Sequence, residues 1–135
     1  MGLEGQRLDG TTVCFLGSEL ERREAQMGAL RRAGCVIDVL GQPALETLEN
    51  LTSSIAILDF GSDAVWANRC LQALAESQSP PLVIALTPGF ESDLQKPPGV
   101  VLRRVDVHSS GGSRGLVRVL RRLVFESNEQ GWGEG

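Results

Sequence analysis

Residues Ser54–Asp59 have the sequence SIAILD and indicate the fold most clearly. Its centre is entirely apolar, which is typical of a strand that is buried on both faces in a parallel sheet. The run ends on an aspartate, so the first charged side chain appears where the strand is predicted to leave the core. We therefore expect a central β-strand here, with Asp59 at its carboxyl end.

Similar apolar runs recur along the chain on both sides of this strand. Each is short, and most are rich in the β-branched residues that favour strands. They are Thr12–Leu16 and Cys35–Leu40 before it, and Pro81–Thr87 and Gly99–Val105 after it. The sequence therefore predicts five strands in all.

The segments between these strands show helical spacing of apolar residues. Ala67, Cys70, Leu71 and Leu74, for example, follow the i, i+3, i+4, i+7 pattern. Strands that alternate with helices predict an α/β fold with a doubly wound parallel sheet in the flavodoxin-like order 2-1-3-4-5. Helices are predicted from Ser18 or Glu19 to about Ala33, from Pro43 onward, over 63–76 and 113–125, with a shortened or irregular fourth helix near 90–96.

The length of 135 residues suits one domain. We expect that domain to span residues 11–125. Residues 1–10 are polar and glycine-rich and predict a flexible leader. Residues 126–135 predict a disordered tail, or a linker to an output domain.

Charge and hydropathy narrow the classes of partner. The net charge is −4, and direct binding of nucleic acid normally needs a basic surface. We therefore do not expect nucleic acid as a direct partner of this domain. No apolar run approaches the ~20 residues that a bilayer span requires, so no membrane partner is expected. The cysteines, Cys14, Cys35 and Cys70, lie among apolar neighbours without a Cys-x-x-Cys pair, which favours buried thiols in the cytoplasm.

Ligands of a doubly wound sheet bind beyond the carboxyl ends of its strands. Gly17 and Ser18 follow the first strand, Asp59 ends the third, and Thr87 ends the fourth. Arg104 lies near the end of the fifth. These residues are therefore the candidate site.

The set resembles the response-regulator receiver domain, over roughly residues 12–125. In that family the first strand ends in two acidic residues, often with a glutamate after them. The corresponding residues here are Gly17, Ser18 and Glu19, so only the glutamate is retained. The resemblance thus marks a degenerate acidic pocket at these positions.

The other strand ends complete the resemblance. Asp59 stands where the family carries its phosphorylated aspartate, and Thr87 where a threonine signals phosphorylation. Arg104 stands where the family has a lysine, and Val105 where a proline follows it. Asp59 is therefore the candidate phosphoacceptor, with Thr87 and Arg104 as the equivalents of the switch residues.

Phosphoryl transfer to a carboxylate needs a magnesium ion and a cation to neutralise the developing charge. Gly17 has no side chain and Ser18 has only a hydroxyl, so Asp59 would bind Mg²⁺ weakly. We therefore expect no metal or cofactor. Arg104 could instead form a salt bridge with Asp59 and hold the site in one state.

The resemblance then implies a pseudo-receiver rather than an enzyme. Such a domain would act through dimerisation, a protein partner or a small ligand. In myxobacterial and actinobacterial developmental regulators a degenerate receiver often precedes a DNA-binding output domain. Two alternatives stay open: a phosphorylatable receiver that uses Asp59, and a stand-alone interaction adaptor.

The last predicted helix carries a row of arginines. They are Arg114, Arg118, Arg121 and Arg122. They fit an ordinary solvated face and, equally, a face for a protein partner or a second copy. Glu91 and Asp93 of another protomer are conceivable acidic counterparts.

Overall fold

The computed structural model describes residues 8–18, 20–59, 64–87, 94–106 and 112–132. Within them, five strands form one all-parallel sheet in the order β2-β1-β3-β4-β5. The strands are β1 (Thr12–Gly17), β2 (Val36–Gly41), β3 (Ile55–Asp59), β4 (Leu82–Thr87) and β5 (Leu102–Asp106). The helices are α1 (Glu24–Arg32), α2 (Leu45–Glu49), α3 (Ala64–Ala75) and α4 (Gly112–Trp132), and a 3-10 helix covers Leu20–Arg23. The predicted flavodoxin-like α/β fold is confirmed.

Each face of the sheet carries its own apolar core. Helix α1 contacts α4, and α2 contacts α3, so the helices divide between the two faces. Successive side chains of a strand point to opposite faces. Phe15 and Ile57 accordingly pack with Leu120 on the α1/α4 face, while Leu58 packs with Leu71 on the α2/α3 face. This alternation determines which side chains at the strand ends can contact each other.

The chain enters α1 differently from the prediction. The sequence predicts a helix from Ser18 or Glu19, but a 3-10 helix comes first and α1 begins at Glu24. Arg23 precedes α1 and makes no capping hydrogen bond with its side chain. That side chain is instead committed to Asp59 in β3. An arginine side chain has only donors and could not cap the N–H groups at the start of α1, so the tertiary contact costs no cap.

The connection from β4 to β5 contains no helix in its described part, residues 94–101, which we call the strap. The predicted short helix near 90–96 falls partly on 88–93, which lie outside the described residues. The strap is tied to α3, because the Gln95 backbone N–H donates to Asn68 Oδ1 at 2.8 Å. Its buried residues are Leu94, Pro97 and Val100.

The structure differs from the prediction at residues 8–10 and 126–132, while 1–7 and 133–135 lie outside the described residues. Leu8 belongs to the predicted leader, yet it is buried in the core of the α1/α4 face. Thr11 donates its backbone N–H to the Leu8 carbonyl at 2.9 Å, which fixes this turn before β1. Helix α4 continues to Trp132, so residues 126–132 are helical rather than a disordered tail. No glycine or proline interrupts the helix between Phe125 and Gly131.

The long helix α4 is amphipathic throughout its described side chains. No helix in the described ranges has both the length and the apolar character needed to cross a bilayer. The apolar side of α4 packs on the sheet through Leu116, Leu120 and Leu123. Helix α4 therefore covers part of the α1/α4 face of the parallel sheet.

Candidate functional site

The site is built where the central strands end. Parallel pairing sets Gly17 of β1 directly beside Asp59 of β3. Asp59 in turn pairs with Leu86, one residue before the end of β4. The structure thus brings together two of the strand-end positions that the sequence predicts for the site.

Asp59 is paired with a cation from the same chain. The Nε of Arg23 donates to Asp59 Oδ2 at 2.7 Å, a distance typical of a charge-assisted hydrogen bond. The two side chains are only 15% and 10% exposed. A carboxylate so removed from water needs a neutralising partner. Arg23 supplies that positive charge.

Arg23 reaches Asp59 because both belong to the same face of the sheet. Asp59 comes two residues after Ile57, so both side chains point to the same face, and Ile57 lies in the α1/α4 core. Arg23 is the last residue of the 3-10 helix that leads into α1, so its side chain starts above this face at the carboxyl edge. The ion pair therefore ties the β1–α1 connection to β3.

The predicted salt bridge between Arg104 and Asp59 is wrong. Arg104 comes two residues after Leu102, so both side chains point to the same face. Leu102 lies in the core of the α2/α3 face, which is opposite the face of Asp59. Arg104 lies two residues before Asp106, the last residue of β5, and pairs with Ala85 of β4. The side chain of Arg104 is exposed. Strand alternation and register both keep this guanidinium away from the carboxylate.

Gly17 occupies a position that is closed to any larger residue. A Cβ atom at Gly17 would overlap the carbonyl oxygen of Asp59. It would also lie 3.1 Å from Leu20 Cδ2 and 3.2 Å from Asp59 Cβ. The backbone of β3 is thus packed against β1 where the resembling family carries an acid. An acidic side chain cannot be accommodated at this position without a backbone shift.

The remaining candidates add no carboxylate to the described site. Ser18 is exposed, and Glu19 lies outside the described residues. Thr87 is the last residue of β4 and pairs with Asp106. The described part of the chain holds no group of three or more His, Cys, Asp or Glu residues that could bind a metal ion.

The described arginines of α4 do not pair with Asp59, whose partner is Arg23. Arg118 and Arg122 are exposed, and Arg121 is half-buried with an Nε that has no hydrogen-bond partner. The side chain of Arg114 lies outside the described part. Exposure makes Arg118 and Arg122 surface residues rather than part of the acidic pocket.

Arg23 is the functional residue that sequence reasoning missed. The candidate positions of the pocket were all at or beside strand ends and did not include the first turns after β1. Those turns begin at the same edge of the sheet. A basic residue there, such as Arg22 or Arg23, is a candidate partner for a buried acid at the end of β3. Searching the starts of the helices as well as the strand ends would have found it.

Comparisons of the chain with protein-family models, curated proteins and solved structures found no match. The chemistry therefore rests on three features of the site. These are a buried carboxylate, a guanidinium that neutralises it, and a glycine packed against it.

Proposed function

We propose that this chain is a pseudo-receiver: a signalling domain of a bacterial response regulator that acts by binding rather than by Mg²⁺-dependent phosphorylation of Asp59. Its output would be carried by dimerisation or by a protein or ligand partner, with a transcriptional output domain under its control in the cytoplasm. The observation that supports this most is the 2.7 Å ion pair between Arg23 and Asp59.

The ion pair opposes phosphorylation for an electrostatic reason. A phosphoacceptor aspartate must present its carboxylate to a phosphoryl group while a divalent cation neutralises the charge. Here the guanidinium of Arg23 already neutralises Asp59, and it would repel an approaching Mg²⁺. The metal would have to displace Arg23 before it could bind.

The packing of Gly17 supports the same proposal. Magnesium requires near-octahedral oxygen ligands, and carboxylates supply the charge. The position beside Asp59 holds no side chain, and none can be added there without moving β3. Asp59 would therefore be the sole carboxylate contributed by these two paired positions.

Amide NMR of the domain, titrated with Mg²⁺ and then with beryllofluoride, tests this proposal. We expect the wild-type spectrum to stay unchanged at about 10 mM Mg²⁺, since a lone paired carboxylate binds this ion weakly. Arg23→Gln should begin to respond to Mg²⁺, because the competing cation is gone. Arg31→Gln removes an exposed arginine of α1 and should behave as wild type.

A different outcome would favour the phosphorylatable receiver. Wild-type shifts centred on Asp59 and Thr87, lost in Asp59→Asn, would mean that Arg23 yields to the metal. The domain would then be switched by phosphorylation after all.

A further inference from the structure

The charges of this chain are unevenly distributed along its sequence. Residues 94–125 carry seven basic side chains and one acidic side chain, a net charge of +6. The other residues carry six basic and sixteen acidic side chains, a net charge of −10. An acidic molecule thus contains one strongly basic segment.

The fold places the first part of this basic segment, the strap and β5, at one edge of the sheet. Strand β5 is an edge strand, preceded by the strap and followed by α4. We call the exposed cations of the strap and β5 the basic edge. They are Lys96 in the strap and Arg103 and Arg104 in β5.

The opposite edge of the sheet is acidic. Strand β2 is the other edge strand, and residues 33–68 contain no lysine or arginine at all. Helix α2 follows β2 and packs beside α3, which places it on the β2 side of that face. The exposed acids of this region are Asp38, Glu46 and Glu49, which we call the acidic edge.

Each edge also exposes apolar surface. Val36 and Val39 of β2 are 57% and 51% exposed, and Val101, beside β5, is 42% exposed. Valines at an edge strand that face water favour contact with another protein surface. The two edges are therefore complementary in charge and alike in having apolar side chains to bury.

We propose that copies of this chain associate head to tail, with the basic edge of one molecule seated on the acidic edge of the next. Identical edges repel each other, which disfavours a two-fold dimer through either edge. One molecule cannot satisfy its own edges, because four strand spacings of ~4.8 Å separate β2 from β5. Such a heterologous contact leaves one edge free at each end and can extend to a further copy.

Side chains, rather than a continued ladder, carry this contact. The register between β1 and β2 shifts after Phe15, and the irregularity falls at Leu40 of β2. A bulge of this kind interrupts regular pairing along an edge strand. Long arginine side chains can bridge such an irregular edge, and their attraction to carboxylates weakens as salt screens it.

The inference stands independently of the pseudo-receiver proposal. Neither edge contains Asp59 or Arg23, and the contact needs no phosphorylation state. Loss of self-association would leave the Arg23–Asp59 pair intact, and phosphorylation of Asp59 would leave the edges unchanged.

Sedimentation velocity of the full chain tests the proposal. We expect species larger than a monomer at about 0.05 M NaCl and at least tenfold weaker association at about 0.5 M, where charges are screened within a few ångströms. An Asp38→Asn/Glu46→Gln/Glu49→Gln variant and a Lys96→Gln/Arg104→Gln variant should each be monomeric. Circular dichroism confirms that these surface variants are folded.

An equimolar mixture of the two variants provides the decisive arm. Each variant retains the edge that the other has lost, so the mixture should form a one-to-one heterodimer and stop there. Arg69→Gln/Glu76→Gln changes two exposed residues of the α3 region outside both edges and should associate as wild type. A wild-type chain that is monomeric at low salt, a salt-insensitive dimer, or a mixture that stays monomeric would overturn the proposal.

Discussion

At the scale of single residues, the position of Asp59 could be predicted and its partner could not. A buried strand that ends on its first charged residue places that residue at the edge of the sheet, and the pattern SIAILD shows this directly. The partner lies 36 residues earlier in the chain. Sequence alone offers twelve arginines for the role, and only strand alternation and register select Arg23 over Arg104.

The first prediction concerns the strength of this pair. In a double-mutant cycle, Arg23→Gln and Asp59→Asn should each destabilise the fold by about 1–3 kcal/mol, because each leaves a shielded polar group without its partner. The coupling free energy should be roughly 0.5–3 kcal/mol. Urea unfolding of the four proteins measures it, with Arg31→Gln as the control. A coupling indistinguishable from zero would mean that the contact contributes nothing in solution.

The second prediction compares two glycines. Gly17→Ala should destabilise the fold by about 2–4 kcal/mol, since the new Cβ would overlap the Asp59 carbonyl oxygen. Gly28→Ala, in α1, should stabilise by up to about 1 kcal/mol through helix propensity. Its Cβ would meet only Arg32 Nη1, at an ordinary 3.4 Å. Thermal unfolding compares the pair, and equal effects would contradict the tight packing at Gly17.

The third prediction concerns alkaline pH. Burial raises the pKa of the Cys14 and Cys35 thiols from 9.0 to about 11. Between those values an unfolded thiol loses its proton while the folded one keeps it, so the unfolded state binds fewer protons. The free energy of unfolding should therefore be constant below about pH 9, as far as these thiols contribute, and should fall toward pH 11.

Urea unfolding at several pH values measures this slope. The Cys14→Ala/Cys35→Ala variant is the matched comparison, because it lacks both raised groups. Its stability should fall less steeply between pH 9 and 11. An identical slope in both proteins would show that the thiols do not contribute to the pH dependence.

At the scale of elements, helical and strand periodicity predicted the order of elements but not all of their ends. Helix α4 runs past Phe125 because polar residues without glycine or proline can extend an existing helix. The strap could not be predicted, since prolines at 97 and 98 oppose a helix without showing what replaces it. Its place is set by burial of Leu94 and Val100 against the α2/α3 face.

The fourth prediction tests how the strap is held. Asn68→Ala removes the acceptor for the Gln95 backbone N–H and should cost about 1 kcal/mol. Amide hydrogen exchange at Gln95 should accelerate, because the N–H then opens to water. Gln72→Ala, an exposed residue one turn later on α3, should leave that exchange rate unchanged. Equal exchange in both variants would contradict the tie.

At the scale of the whole molecule, the sheet has three chemically distinct regions. Its carboxyl edge holds a neutralised acid, one lateral edge is basic and the other is acidic. Composition gives only the net charge of −4, because a sum cannot show that opposite charges are sorted to opposite ends. The strand order 2-1-3-4-5, which was predicted from the alternation of elements, is what separates β2 from β5.

We propose that Asp59, which is held by Arg23, does not accept a phosphoryl group. Intact-protein mass spectrometry after incubation with a small acyl phosphate and Mg²⁺ tests it most directly. The claim predicts that the wild-type chain keeps its unmodified mass. A phosphoryl adduct that forms on the wild type and is absent from Asp59→Asn would contradict it.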